Sequence, residues 1–172
     1  MASTGTNKQP LLVDRPLHES ALLGPVAGLG APGNLADLNP GGLKILVPAT
    51  EEGAIIDSVC VVNNEANSTA SSVVLFLSTE QSVLAVTESN TQAVAIVAIA
   101  SSTVGRRSHF ELPDVLVPVP NLGAAVVSTE REKKNTALII PTGKTLMVGL
   151  TTRLLLPTPS TTVSVFAQGG YY

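Results

Sequence analysis

The sequence predicts an all-β fold, a β-sandwich or jelly roll preceded by an extended, Pro/Gly-rich N-terminal arm. Three observations predict it. From residue 43 onward, short runs rich in Val, Ile, Leu and Thr are separated by turn residues every 8–14 positions. Apolar residues recurring at helical spacing are nearly absent. Residues 1–42 carry Pro10, Pro16, Pro25, Pro32 and Pro40 and six glycines, which break helices and strands alike. The chain is therefore divided into an arm, 1–42, and a sandwich domain, 43–172.

Within the arm no strand fits between the breaks, and residues 18–23 are the only stretch suited to a helical turn. The arm is nonetheless not a solvated linker. Leu11, Leu12, Val13, Leu17, Leu22 and Leu23 are unlike the residues of disordered segments and are expected, with Arg15, to lie along a surface of the chain's own domain or of a neighbouring subunit. In the domain, strands are expected at 43–47, 54–63, 71–78, 82–87, 92–101, 110–119, 124–128, 136–140, 145–156 and 161–167. Leu146, Val148 and Leu150 alternate with Thr145, Met147 and Gly149, and Val163 and Val165 with Thr162 and Ser164, the period of a strand with two unlike faces. The run 93–100 is apolar at every position, as in a strand covered on both sides. Pro141 followed by Gly143 supplies the turn chemistry of a hairpin.

Charged residues make up 13% of the chain, against roughly 25% in ordinary soluble domains, and the net charge is −3. So little self-repulsion suits a protein that works inside an assembly. With no basic stripe beyond Arg106-Arg107 and the mixed run at 130–134, nucleic acid is not an expected partner. Nor is a membrane, since the longest apolar stretch is far short of a spanning helix. The opening residues lack the apolar core of a signal peptide, and the single Cys60 fits synthesis in a reducing cytoplasm.

The motifs that could carry chemistry reduce to ordinary structure. Gly28-Leu29-Gly30-Ala31-Pro32-Gly33 has dinucleotide-binding spacing, but prolines at 25, 32 and 40 deny it the flanking strand and helix. Asn67-Ser68-Thr69 reads as a polar hairpin loop. Cys60 reads as a small buried hydrophobe; nothing in the sequence pairs it with His109 as a nucleophile and base. His18 and His109 make no metal site by themselves, and Asn63, Asn64 and Glu65 read as a polar turn rather than a calcium loop. The run Glu130 to Lys134 reads as a solvated loop. The expectation is a protein without catalytic residues, cofactor or metal, and not an enzyme. Arg106, Arg107, Tyr171 and Tyr172 are the domain's candidate contact residues.

Two stretches carry a resemblance. Val59-Cys60-Val61-Val62-Asn63-Asn64 with Ser72 to Ser78 looks like a first core hairpin, and Ile140-Pro141-Thr142-Gly143-Lys144-Thr145 with Val163 to Tyr172 like a closing one. Together, over roughly residues 54–172, they resemble tailed-bacteriophage virion structural proteins with an Ig-like or jelly-roll sandwich, of the capsid cement or decoration type. The segment Asn7 to Pro16 is similar to the clamping extensions of viral coat and cement proteins. The resemblance implies a virion component made in the host cytoplasm. Its implied partners are the major capsid protein or other virion proteins, and its implied state a dimer or trimer. A tail, neck or baseplate component is the alternative within the same class. A receptor- or carbohydrate-binding module is a further alternative, disfavoured by the scarcity of aromatics for sugar stacking.

Overall fold

The computed structural model describes residues 15–24, 42–64, 71–99, 104–112, 137–151 and 162–171. They form two antiparallel sheets packed as a sandwich. The strands are β1 (Arg15–Leu23), β2 (Leu43–Val47), β3 (Ala54–Asn63), β4 (Ser71–Ser78), β5 (Thr91–Ile99), β6 (Arg107–His109), β7 (Leu138–Ile140), β8 (Thr145–Leu150) and β9 (Val163–Tyr171). One sheet has the order β1-β9-β3-β6, with β7 also paired to β3; the other has the order β2-β8-β4-β5.

Strand β1 corrects the expectation for residues 15–23. It is no helical turn and no arm. It pairs with β9 along its whole length, from Arg15 opposite Tyr171 to Leu23 opposite Val163. Its proline is tolerated because, among the described residues, β1 is an edge strand that pairs on one side only. Leu17, Ala21 and Leu23 point inward and join the core, while His18, Ser20 and Leu22 face out. Residues 15–23 thus belong to the sandwich, and Leu17 and Leu23 are core residues of their own domain.

The shared core lies between the sheets. Ala54, Ile56, Val59 and Val61 of β3 and Val163, Val165 and Ala167 of β9 meet Val73 and Leu75 of β4 and Leu146, Val148 and Leu150 of β8. Fully burying each large aliphatic side chain is worth about 1.5–3 kcal/mol against conformational entropy. Strand β8 is buried on both faces, since Met147 belongs to a second, smaller cluster with Leu43, Val74, Phe76 and Val86 on the outer side of its sheet.

That outer cluster is roofed by the chain between β4 and β5. Residues 82–87 are a short 3₁₀ turn, Val83–Ala85, instead of the expected strand. The Ser82 hydroxyl accepts from the Leu84 N–H at 3.3 Å, a local bond that competes with ladder pairing. Asn90 holds the roof. Its Oδ1 accepts from the Thr87 N–H at 2.7 Å, and its Nδ2 donates to the Ala85 carbonyl at 3.0 Å.

Three bulges adjust the ladders. Asp57 is the extra residue on β3, where Ile56 and Ser58 face the consecutive Gly169 and Gln168. Leu46 is extra on β2, so that Leu46 and Val47 are both buried. Val94 is extra on β5. Of the expected strand at 110–119 only 110–112 are described, and they are not strand: β6 lies just before them, and Phe110 and Leu112 fill the core beyond its end. β9 runs on past residue 167 to Tyr171, and Gly169 lets it pass close to β3. The arm residues 1–14 and 25–41 and the expected strand residues 113–119, 124–128 and 152–156 lie outside the described residues.

One packing flaw is testable. Thr145 is fully buried, opposite Ser78, and its Oγ1 has no hydrogen-bond partner among the described residues. The neighbouring Ser78 hydroxyl is satisfied by the Thr91 hydroxyl at 2.8 Å and the Glu80 N–H at 3.0 Å. An unpaired buried hydroxyl costs about 1–3 kcal/mol of desolvation. Thr145→Val keeps the shape, so it is expected to raise stability by about 1 kcal/mol in urea denaturation. A loss of similar size would show that the hydroxyl is bonded after all.

Candidate interaction surface

The registers of β1, β9, β3, β6 and β7 fix which side chains share the outer face of their sheet. Pro16, Gly170, Ile55 and Ile139 form one row across it. His18, Gln168 and Ser58 form the next. Ser20, Phe166, Cys60 and His109 form the third, and Leu22, Ser164, Val62 and Arg107 the fourth. The intervening residues point into the core, so these rows point away from it.

The face is apolar to an unusual degree. Leu22 is 56% exposed, Ile139 46% and Phe166 39%, with Ile55, Cys60 and Val62 half-buried between them. The other side chains on the rows are serines, a glutamine and, towards the two edges, His18, His109 and Arg107. No carboxylate lies on these rows; Glu19, between His18 and Ser20, and Asp57, exposed at the bulge beside Ser58, adjoin them in sequence. Single exposed apolar residues are ordinary, but a patch spread over four of the sheet's five strands has the character of a contact surface.

Cys60 and His109 are cross-strand partners. The Phe110 N–H donates to the Val59 carbonyl at 3.0 Å and the Asn63 N–H to the Arg106 carbonyl at 3.1 Å. By alternation, the 60–109 pair is the non-hydrogen-bonded kind, in which side chains stand closest. Sequence reasoning had no means of pairing them. The two groups sit on an open face, and no carboxylate on the rows orients the imidazole, so the arrangement lacks the third group of a nucleophilic site. Among the described residues no three His, Cys, Asp or Glu side chains are grouped to hold a metal.

At the row nearest the entry of β1, the Arg15 guanidinium lies 4.5 Å from the centre of the Tyr171 ring and 3.5 Å from Glu52. The ion pair is exposed and contributes little; the ring contact adds about 0.5–1 kcal/mol. Burial raises the Tyr171 phenol above its ordinary value of 10.0, with Glu19 adding to the rise, Arg15 opposing it and Glu52 reinforcing it. Tyr171 is thus largely a core residue capped by Arg15, not the free contact expected of it.

The other candidates divide. Arg106 and Arg107 are exposed at the edge beside β3, and Leu22 is exposed on the apolar face. Leu11, Leu12, Val13 and Tyr172 lie outside the described residues, as do residues 28–33, 65–69 and 130–134. Asn64 does not present its amide to a ligand: Nδ2 donates to Thr162 Oγ1 at 3.0 Å and to Ser164 Oγ at 2.9 Å, tying the end of β3 to β9. Ile55, Val62, Ile139 and Phe166 were missed as contact residues. Phe166 had a signal, since Val163, Val165 and Ala167 claim the inward phase and leave the largest side chain outside.

Comparison with models of known protein families gives no match, and comparison with curated protein sequences gives none either.

Proposed function

We propose that this protein is a non-catalytic virion structural component of the cement or decoration kind. It binds larger coat subunits through the outer face of the β1-β9-β3-β6/β7 sheet, with the leucine-bearing N-terminal segment adding contact area. The observation that carries this reading is the outer face of this sheet, which bears exposed or half-buried apolar side chains on three of its four rows. Burying such a face against a coat subunit supplies affinity, and repetition over a symmetric shell supplies avidity.

The strand wiring supports the same class. The chain switches sheets from β1 to β2, β2 to β3 and β3 to β4, then returns after a β4–β5 hairpin. We read this as a jelly-roll connectivity in which the sixth of eight strands is split into β6 and β7, which share β3. Jelly rolls serve viral coats and also lectins and cupins, so the wiring alone does not choose among them.

Phe166→Thr combined with Ile139→Thr tests the reading. Both side chains are exposed, so the fold is expected to survive, while retention on purified particles falls by about tenfold or more. Unchanged retention on heads would sink the proposed surface; wild-type protein that travels with tails would move it to the tail machinery; protein that binds no particle would remove the virion reading.

A further inference from the structure

A sandwich has open sheet edges, and an unguarded edge is a template for another strand. Three of the edge positions here carry guards. β1 has Arg15, Pro16 and Glu19; β2 has five residues, with Lys44 and a bulge; β6 and β7 have three residues each. β5 is different. It runs for nine residues, Thr-Gln-Ala-Val-Ala-Ile-Val-Ala-Ile, with no charge and no proline. Among the described residues its only ladder partner is β4. The bulge at Val94 interrupts it near one end, but from Ala95 to Ile99 it pairs regularly with residues 71–75, leaving a regular stretch on the side where no described residue pairs with it.

We propose that β5 pairs antiparallel with β5 of a second copy about a two-fold axis, joining two four-stranded sheets into one of eight. Self-pairing demands a strand that meets its own sequence without like-charge contacts, and a neutral strand satisfies that. It also has no charge with which to select a different chain. An axis at Val97 sets Ala95 opposite Ile99 and Ile96 opposite Ala98. The exposed Ile96, at 56%, then covers the small, exposed Ala98 of the other copy on the outer face. Large side chains opposite small ones let the backbones approach to ladder distance.

This assignment goes beyond the virion reading and does not need it, because it is read in solution without particles. Sedimentation of the full chain over a wide concentration range is expected to show a monomer–dimer equilibrium. Ile96→Lys sets a charge on each side of the axis and is expected to weaken the dimer by about tenfold or more, with the urea midpoint unchanged since the position is exposed. Ala98→Glu added to Ile96→Lys places opposite charges across the pair and is expected to restore dimerisation, which a merely unfolded strand would not do. A wild-type chain that stays monomeric throughout, or a dimer indifferent to Ile96→Lys, overturns the proposal, and failure of the double variant to regain the dimer overturns its register.

Discussion

Gly169→Ala is expected to prevent stable folding. A Cβ at this position would run into the Ile55 carbonyl oxygen and lie 2.8 Å from Ile56 Cα and 2.9 Å from the Ile55 carbonyl carbon. These are backbone atoms of a neighbouring central strand, so no side chain can swing aside. Gly169 faces Ile56 where Asp57 bulges out of β3, and the bulge brings the two backbones together. Parting them would strain the ladder that also carries β1. The expected loss is about 4 kcal/mol or more, a large share of the 5–15 kcal/mol that holds a domain together. Gly143→Ala is the control. That turn glycine has φ +72° and open space around it, so alanine there pays only the left-handed backbone penalty of about 1–2 kcal/mol. Urea denaturation of both variants reads the difference, and a near-wild-type midpoint for Gly169→Ala would mean that β3 and β9 are not this close.

Phe76→Ala is expected to cost about 3–5 kcal/mol. Phe76 is buried outside the main core, among Leu43, Val74, Val86 and Met147, under the Asn90-braced roof. Its loss leaves a cavity that the roof cannot fill without breaking its own hydrogen bonds. Faster proteolysis within residues 79–90 should accompany the fall in stability. Phe166→Ala, by contrast, removes a ring that is 39% exposed on the opposite sheet and should change stability by only about 1 kcal/mol. Equal losses for the two phenylalanines would contradict the assignment of one to a core and the other to a surface.

These positions show which parts of the structure were legible in the sequence. β2, β3 and β4 have the bounds that alternation and turn residues predict. β1 was hidden by Pro16, which reads as a breaker unless its strand is known to be an edge, and edge position is decided by β9 at the far end of the chain. The stretch 82–87 has strand-like composition, but Ser82 and Asn90 offer its backbone local partners that win over pairing. Phe166 could be read as outward from its phase, yet phase does not say that Leu22, Val62 and Ile139 stand near it. Tyr171 was misplaced for the same reason. Its cap, Arg15, comes from a strand more than one hundred and fifty residues away in sequence.

The pairing of β1 with β9 also has a consequence in time. β9 is the last of the described strands to be synthesised, yet it lies between β1 and β3 in the sheet. Until β9 has been made, β1 waits without its neighbour and β3 shows a bare flank. Pairings so distant along the chain form slowly, and the exposed strands meanwhile can join other nascent chains. The closing move among these strands awaits the synthesis of β9, and resistance to aggregation depends on how β1 and β3 are sheltered until then.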